Sequence, residues 1–347
     1  MDFRVLTLSL LFLWSFLQAG SVRNISFVTD PELGVPFQVH YFEAGENHQY
    51  RATLIRYPWT HEKKPKASIL YIHGFNDYFF QWELAQRMDA AGYAFYAIDL
   101  HNYGRSLRSG EKLGELRSLA SYIPELDSAL IKIRSLDMTP LVLMGHSTGG
   151  LVSSVYAKSR GNGKFLDAIV LNSPFLDMNM GVVTELFVPF IAGVGLSFPD
   201  IQISRTVNTS YGESLHKDYR GEWAYNLDLK SNVSLPVDFG WISAIYAGHA
   251  LVQRGLGLVS PILVMHSNCS VPPGVKEWRE DFTRCDGVLD VEDIDRYGRR
   301  LGRNVKMETI QDGLHDLFLS EKAVREKAYD VTIQFLDSIF TNANPSR

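Results

Sequence analysis

Residues 140–160 read PLVLMGHSTGGLVSSVYAKSR, and this stretch decides the fold class. An apolar run over residues 140–144 leads into Gly145-His146-Ser147-Thr148-Gly149, and a helical pattern follows over residues 150–160. A G-x-S-x-G pattern between a strand and a helix is typical of a sharp turn that exposes the serine above a sheet. Side chains at the two glycine positions would collide across such a turn. The sequence therefore predicts that Ser147 is a nucleophile, the alternative being a glycine-rich turn without chemistry.

The same alternation of apolar runs and helical patterns extends over most of the chain. Further buried strands are predicted at residues 67–73, 93–100, 165–172, 262–266 and 305–310, and helices at residues 80–91, 118–135, 240–254 and 320–340. Uninterrupted apolar strands that alternate with helices are typical of a parallel sheet covered on both faces. Alternating segments at residues 38–42 and 49–56 predict antiparallel strands before it. The predicted fold class is therefore α/β.

The alternation stops between residues 177 and 239, where polar and turn residues are more frequent. So long a stretch without structure of its own is uncommon in a compact domain, and we interpret it as a partly helical lid. The predicted core is then residues 22–176 and 240–347, interrupted by a lid over residues 177–239. The alternative is an ordinary loop excursion. Five apolar residues of the lid either line a substrate pocket or form the lid's own small core: Leu186, Phe187, Val188, Phe190 and Ile191.

Residues 1–21 have the pattern of a secretory signal peptide. Arg4 precedes thirteen uncharged residues, 5–17, and the small residues Ala19-Gly20-Ser21 follow. The run is too short to cross a bilayer, which takes about 20 apolar residues. We expect a secreted protein or one of the secretory pathway, the alternative being a protein tethered to the membrane by an uncleaved signal anchor. Four N-x-S/T sequons agree with that route, at Asn24, Asn208, Asn232 and Asn268.

Composition and charge exclude several classes of protein. Apolar residues make up 46% of the chain and charged residues 21%, which rules out a disordered chain. A net charge of −5 without a lysine- or arginine-rich block lacks the footprint of a nucleic-acid-binding protein. No CxxC or HExxH pattern appears, so we expect no metal site. The two cysteines, Cys269 and Cys285, are expected to pair in an oxidising compartment rather than remain free buried thiols.

A serine nucleophile needs a base that is oriented by a third group, and for this turn motif the chain order is serine, acid, histidine. His315 follows the strand at residues 305–310 in a glycine-flanked loop and is the candidate base. Asp286 is the candidate acid, because a Cys269–Cys285 bond would return it to the end of the strand at residues 262–266. Asp290 is its rival, with helix capping as the other role.

Two backbone N–H groups are needed to stabilise the oxygen anion that forms during acyl transfer. One candidate is the N–H of Thr148, which follows the nucleophile. The other is the N–H of Phe75, because Gly74 permits a turn after the first central strand.

Taken together, these motifs resemble the α/β-hydrolase superfamily, and within it the serine aminopeptidase-like, monoacylglycerol lipase-like and lysophospholipase-like branch. The resemblance covers residue 45 or so to the end of the chain. It is carried by His73-Gly74-Phe75, Asp99-Leu100-His101-Asn102-Tyr103-Gly104-Arg105-Ser106, Gly145-His146-Ser147-Thr148-Gly149, Asn172-Ser173-Pro174 and Gly313-Leu314-His315-Asp316. Asn102 replaces the first glycine of the family's D-x-x-G-x-G-x-S stretch, and an insertion displaces the acid loop. The resemblance implies the α/β-hydrolase fold, a lid over the active site and an acyl-enzyme mechanism without a cofactor.

The expected function is that of a secreted serine hydrolase acting on carboxylic esters, with a lipid-like substrate such as a monoacylglycerol or a lysophospholipid. The expected partners are that ester and, transiently, a membrane surface, but no nucleic acid. A serine aminopeptidase is one alternative, since acidic residues for a substrate amine are available at Glu185, Glu213, Asp218 and Glu222. A non-catalytic binding module of the same fold is the other, and it would be marked by a broken triad.

Overall fold

The centre of the fold is a nine-stranded sheet. The computed structural model of the protein describes residues 25–179, 186–203, 209–275 and 277–341. The strands are β1 (Val28–Thr29), β2 (Gln38–Ala44), β3 (Tyr50–Tyr57), β4 (Ser68–Ile72), β5 (Ala94–Asp99), β6 (Leu141–His146), β7 (Ala168–Asn172), β8 (Gln202–Ile203), β9 (Val237–Asp238), β10 (Ile262–Ser267) and β11 (Val305–Ile310). The helices are α1 (Trp82–Ala90), α2 (Ile123–Asp137), α3 (Thr148–Ser159), α4 (Val188–Gly195), α5 (Ser210–Leu215), α6 (Phe239–Gln253), α7 (Val291–Gly298) and α8 (Lys322–Phe340).

The strand order of the large sheet is β1-β2-β3-β5-β4-β6-β7-β10-β11. In this order, every neighbouring pair from β5 to the last strand, β11, is parallel. The strands β1, β2 and β3 run antiparallel to their neighbours. The predicted fold class, a mostly parallel sheet preceded by antiparallel strands, is confirmed. Ile72 lies opposite Gly145, and His146 lies opposite Asn172, so the carboxyl ends of β4, β6 and β7 meet at one edge of the sheet.

Both faces of the sheet are covered by helices. Within β4, Leu70 and Ile72 belong to a core that includes residues of α2, α3 and α6, whereas Ile69 and Tyr71 belong to a core with residues of α1 and α8. Successive residues of a strand point to opposite faces, so a strand buried on both sides is apolar along most of its length. This burial explains the uninterrupted apolar runs in the sequence.

The helix predicted over residues 118–135 begins later than its apolar pattern suggests. Ser118 accepts a hydrogen bond from the N–H of Ala120 at 3.2 Å and caps a 3₁₀ turn, Leu119–Tyr122. The α-helix α2 follows from Ile123, with a proline in its first turn, where no N–H donor is needed.

The segment predicted as a lid contains α4, α5 and a two-residue antiparallel ladder between β8 and β9. Its residues 180–185 and 204–208 lie outside the described residues. Helix α4 packs against α6: a Cβ placed on Gly195 would lie 2.3 Å from the carbonyl oxygen of Phe239, so the two backbones are in close contact. This helix of the predicted lid is therefore in close backbone contact with α6 at Gly195.

The apolar residues of α4 and of the turn before it were expected to line a substrate pocket or to form a small core of the lid. The structure shows neither arrangement. Val188 is buried, and with Ile191 it packs on the main core under α4 rather than on a separate core of the lid. Leu186, Phe187 and Phe190 are 74%, 58% and 71% exposed, so they neither line a closed pocket nor form a core. The physical reason is that α4 buries only the side that meets α6.

Several predicted features of the secretory route lie outside the described residues, namely residues 1–21, Asn24 and Asn208. Of the other two sequons, Asn268 is exposed, whereas Nδ2 of Asn232 is buried. Because a glycan is attached to Nδ2, the folded structure disfavours Asn232 as an acceptor. Within the described ranges, no helix has both the length and the apolar character that crossing a membrane requires.

Candidate active site

Ser147 occupies the sharp turn between β6 and α3. Its backbone angles, φ 53° and ψ −120°, lie in a region that a serine rarely adopts. A Cβ on Gly145 would lie 2.4 Å from the carbonyl oxygen of Gly149, and one on Gly149 would lie 2.3 Å from that of Ile72. These neighbours are backbone atoms that cannot move aside cheaply. Both positions therefore require glycine, as the G-x-S-x-G pattern predicts.

Three side chains from distant parts of the chain form one hydrogen-bonded row. Nε2 of His315 lies 2.9 Å from Oγ of Ser147, and Nδ1 of the same ring lies 2.9 Å from Oδ2 of Asp286. All three residues are buried. A nucleophile, a base and an orienting acid in this order are the arrangement that acyl transfer by a serine requires. The structure thus brings the three predicted residues together, and their catalytic roles stay a prediction.

Asp286 rather than Asp290 contacts His315. The other oxygen of Asp286, Oδ1, accepts hydrogen bonds from the N–H groups of Val288 and Leu289, both at 2.8 Å. These donors fix the carboxylate so that Oδ2 faces the imidazole. Asp290 instead accepts a hydrogen bond from the N–H of Glu292 at 3.0 Å and caps helix α7, the other role considered for it.

The expected disulfide between Cys269 and Cys285 is present, with a Cα–Cα distance of 4.9 Å. Directly beside it, the N–H of Asp286 donates to the carbonyl oxygen of Cys269 at 2.9 Å, and the N–H of Val271 donates to that of Asp286 at 2.8 Å. The crosslink and these two backbone bonds return the chain from the insertion to the end of β10. The carboxylate therefore arrives beside His315 despite the intervening residues.

The two predicted oxyanion donors belong to segments that meet at Ser147. Thr148 is the first residue of α3, where N–H groups have no partner within the helix. Phe75 follows Gly74, and a Cβ placed on Gly74 would lie 3.2 Å from Cβ of Ser147. Phe75 and Thr148 both line the cavity that contains Ser147. Both residues thus lie beside Ser147, and the oxyanion role of their N–H groups stays a prediction.

The loop that carries His315 is anchored by polar residues whose role was not predicted from the sequence. Asp316 is fully buried and accepts hydrogen bonds from Nδ2 of Asn172 at 2.7 Å and from Nε2 of Gln81 at 3.1 Å. Oδ1 of Asn172 in turn accepts the N–H of Leu317 at 3.2 Å. In the sequence, this anchor could have been inferred from Asn172, a polar residue at the end of the apolar strand β7. These bonds hold the imidazole in position without touching it.

His146 packs against the candidate base, with 4.8 Å between the centres of the two rings. Desolvation by burial lowers the pKa of His146 below its ordinary value of 6.5. The ring is therefore uncharged at neutral pH. A neutral neighbour does not oppose the positive charge that His315 would acquire on accepting the serine proton.

A cavity of about 370 Å³ lies over Ser147 and His315. Part of its wall comes from the insertion between the cysteines and is apolar, formed by Val271, Pro272, Pro273, Val275 and Phe282. Another part is polar and includes Asn76, Asp77, Lys230 and Asn232. The cavity thus offers both an apolar and a polar surface beside Ser147.

Replacement of Asp286 by asparagine should abolish most turnover of p-nitrophenyl esters, because the amide cannot hold the imidazole in the tautomer that accepts the serine proton. We expect kcat to fall by about 10⁴-fold. Asp290→Asn is the matched control, since asparagine still caps a helix, and its kcat should stay close to that of the parent. The reverse pattern in a steady-state assay would identify Asp290 as the acid.

Removal of the disulfide should impair activity more than stability. The crosslink closes a loop of sixteen residues, for which the chain-entropy estimate is about 3 kcal/mol, and it also holds the backbone of Asp286 against Cys269. We expect the double variant Cys269→Ala/Cys285→Ala to lose most of its kcat at temperatures where circular dichroism still shows a folded protein. Loss of activity only in step with unfolding would contradict a role in positioning the acid.

The sequence of this chain is similar to that of known hydrolases. A family model described as serine aminopeptidase, S33, matches residues 63–269. A monoacylglycerol lipase of Mycolicibacterium smegmatis is 28% identical over 214 residues, which cover 60% of this chain and 72% of that protein. The phospholipase YtpA of Bacillus subtilis is 29% identical over 215 residues, covering 60% and 78%.

Solved structures show the same fold. A soluble variant of the monoglyceride lipase of Saccharomyces cerevisiae superposes with a TM-score of 0.65 at 15% identity, covering 87% of this chain and 96% of that one. A thermostable carboxyl esterase of Bacillus coagulans gives 0.60 at 14% identity, covering 88% and 99%. The chain therefore belongs to the serine aminopeptidase S33 family, with the α/β-hydrolase fold.

Proposed function

We propose that this protein hydrolyses the carboxylic ester of a lipid-like substrate, a monoacylglycerol or a lysophospholipid, through an acyl-enzyme. The observation that carries the proposal is the hydrogen-bonded row of Ser147, His315 and Asp286 at the floor of a partly apolar cavity. The relatives named monoacylglycerol lipase and phospholipase support the same chemistry.

In the proposed reaction, Oγ of Ser147 attacks the ester carbonyl while Nε2 of His315 takes the serine proton. Asp286 stabilises the resulting imidazolium, and the N–H groups of Phe75 and Thr148 stabilise the oxygen anion. His315 then gives its proton to the departing alcohol as the carbon–oxygen bond breaks. A water molecule, deprotonated by the same ring, then attacks the acyl carbon. The bond from that carbon to Oγ breaks, His315 returns the proton to Oγ of Ser147, and the fatty acid leaves.

The acids considered for an aminopeptidase do not support that alternative. Glu213 accepts a hydrogen bond from Thr209, Glu222 pairs with Arg325 and Asp218 is exposed; none of them lines the cavity. Glu185 lies outside the described residues. A free α-amino group would need an unpaired carboxylate near Ser147, whereas the carboxylate on the described part of the cavity wall, that of Asp77, is paired with Lys230 at 3.0 Å. The distribution of charge favours an ester substrate.

The binding-module alternative would be favoured by a gap in the catalytic row. Ser147, His315 and Asp286 are instead within hydrogen-bond distance of one another, with the acid held by two further donors. A module without activity would not need this geometry, so catalysis is the better explanation.

Hydrolysis of p-nitrophenyl esters by the parent and by Ser147→Ala tests the proposal directly. We expect the alanine variant to lose on the order of 10⁶-fold in kcat, together with labelling by a fluorophosphonate probe, and to keep its fold. In the parent, kcat/KM should rise from acetyl to octanoyl esters, because each buried CH₂ contributes about 0.8 kcal/mol. A flat chain-length profile combined with rapid release of amino-terminal residues from peptides would point to the aminopeptidase.

The proposal includes contact with a lipid surface through the lid. Residues 186–203 contain one charged residue, Asp200, and several of their large apolar side chains are exposed. We name this set the α4 patch: Leu186, Phe187, Phe190, Leu196 and Phe198. Helix α4 packs on α6, which supplies Trp241 to the cavity wall. An exposed apolar patch attached to the cavity wall is suited to a substrate that resides in a membrane or a droplet.

The double variant Phe187→Ser/Phe190→Ser should hydrolyse emulsified monoacylglycerol at least about tenfold more slowly, because burying each phenylalanine in lipid contributes roughly 1.5–3 kcal/mol. Its rate on a soluble short-chain ester should match that of the parent. Ile131→Ser is the control, since it removes a similarly exposed apolar side chain from α2. Equal losses on both substrates would argue against a surface role.

The proposal also includes the secretory route predicted from residues 1–21. The disulfide supports it, because such bonds persist in oxidising compartments. Mass spectrometry of protein recovered from the culture medium of a eukaryotic host should find an amino terminus near residue 22, and retention of the full chain inside the cell would contradict this.

A further inference from the structure

Helix α5, in the segment predicted as a lid, lies beside the loop that carries His315. Leu215 of this helix is buried in one apolar cluster with Leu314 and Leu319. Trp223 belongs to the same cluster, and its Nε1 donates a hydrogen bond to the carbonyl oxygen of Leu319 at 2.8 Å. This part of the segment therefore packs on residues that come before and after the candidate base in the chain.

One side chain of α5, that of Tyr211, reaches the base itself. Its ring meets the imidazole of His315 nearly at a right angle, with 5.5 Å between the ring centres and 74° between the ring planes. Its hydroxyl oxygen accepts a hydrogen bond from the N–H of Asp316 at 3.3 Å. A Cβ placed on Gly287 would lie 3.8 Å from Cβ of Tyr211, so the tyrosine also lies beside the residue that follows Asp286. Tyr211 thus contacts the base and borders the acid loop.

The backbone that carries Tyr211 is held by contacts that do not involve the base loop. Oγ of Ser214 donates to the carbonyl oxygen of Tyr211 at 2.8 Å, and the hydroxyl of Tyr225 donates to that of Gly212 at 3.3 Å. A Cβ placed on Gly212 would lie 2.5 Å from Cα of Asn232, so two stretches of backbone are in close contact there. The ring of Tyr211 is therefore presented to His315 from a fixed support.

The hydroxyl of Tyr211 brings no charge to the site. Desolvation by burial raises the pKa of this hydroxyl well above its ordinary value of 10. The negative charges of Asp316, Asp77 and Asp286 raise that pKa further. The hydroxyl therefore keeps its proton at neutral pH, and the tyrosine acts on His315 through packing and orientation.

The imidazole of His315 needs such packing because one of its two hydrogen bonds does not last through the reaction. Nε2 gives up its contact with Oγ of Ser147 when the serine attacks, and only the bond between Nδ1 and Asp286 remains. A ring held at one atom can swing about its side-chain bonds. Neighbouring rings restrict that motion, and Tyr211 supplies one of them.

We propose that Tyr211 is a positioning residue for His315: its ring keeps the imidazole in line with Ser147 and shields the His315–Asp286 bond from water. The inference rests on the proposed ester hydrolysis and adds a residue of the predicted lid to the groups that orient the base. A misplacement of about 1 Å in a reacting group can cost about 10²-fold in rate, so a small contact of this kind affects turnover.

Steady-state kinetics with p-nitrophenyl acetate and p-nitrophenyl octanoate test this role. We expect Tyr211→Ala to lower kcat by about 10²-fold on both esters, because the base accepts the serine proton in the same way from either complex. Tyr211→Phe keeps the ring and should lose less than about tenfold, the effect of one neutral hydrogen bond. Tyr219→Ala is the matched control, since Tyr219 is an exposed tyrosine of the same segment that does not line the cavity over Ser147, and its kcat should equal that of the parent.

A proton NMR measurement separates positioning from a general loss of structure. The proton on Nδ1 of His315, hydrogen-bonded to Asp286, should give a downfield signal as long as water reaches this bond slowly. We expect the signal in the parent and in Tyr211→Phe. In Tyr211→Ala its exchange with water should be faster, while the amide spectrum remains that of a folded protein.

An unchanged kcat in Tyr211→Ala, or a lowered kcat with an unchanged proton signal, would overturn the proposal. A loss confined to the octanoate would overturn it as well and would identify Tyr211 as a contact for the acyl chain, since this residue also lines the cavity. If Tyr211→Ala does not fold, Tyr211→Leu takes its place with the same expectations, because leucine fills part of the space without a planar ring. A parent that cleaves no ester would contradict the proposed function, whereas the proton signal would still show whether Tyr211 holds the imidazole.

Discussion

Close contact between two stretches of backbone determines where every part of the site can lie. The turn at Ser147 rests on the end of β4 so tightly that a Cβ on Gly149 would lie 2.3 Å and 2.4 Å from the carbonyl oxygens of Ile72 and His73. The chain then continues from His73 into Gly74 and Phe75. Ser147 and both predicted oxyanion donors are therefore positioned by main-chain contact, which side-chain motion cannot loosen.

Buried polar groups hold the loops around this contact. Arg105 bridges Asp30 and Asp99 at 2.8 Å to each, and Asp99 also accepts the N–H of Phe79 at 2.9 Å, so the chain leaving the oxyanion loop is tied to the end of β5. At the other side, Asp316 ties the His315 loop to β7 and to Gln81. Removing one member of such a network would leave its partners buried and unpaired, which makes each member difficult to replace.

The sequence predicted the parts of the site that depend on local pattern. Ser147 and His315 each lie in a short motif after an apolar strand, and two cysteines around an insertion pointed to Asp286. Asp77 and Lys230 could not be found in this way, because their pairing joins the loop after β4 to the lid. The sequence also did not predict which side of α4 is buried. Apolar residues surround this helix, and only the position of α6 determines which of them are covered.

The insertion closed by the disulfide allows the apolar wall of the cavity to vary while the position of Asp286 stays fixed. Its ends are fixed at β10 and at the acid, while its middle supplies the apolar wall of the cavity. Lengthening a loop between fixed ends costs little, because the free energy of loop closure rises by only about 0.6 kcal/mol for each doubling of the loop's length. New sequences between Cys269 and Cys285 would therefore alter the apolar wall of the cavity without displacing Asp286. This loop is the natural place for selection, or for a designer, to change substrate preference in this scaffold.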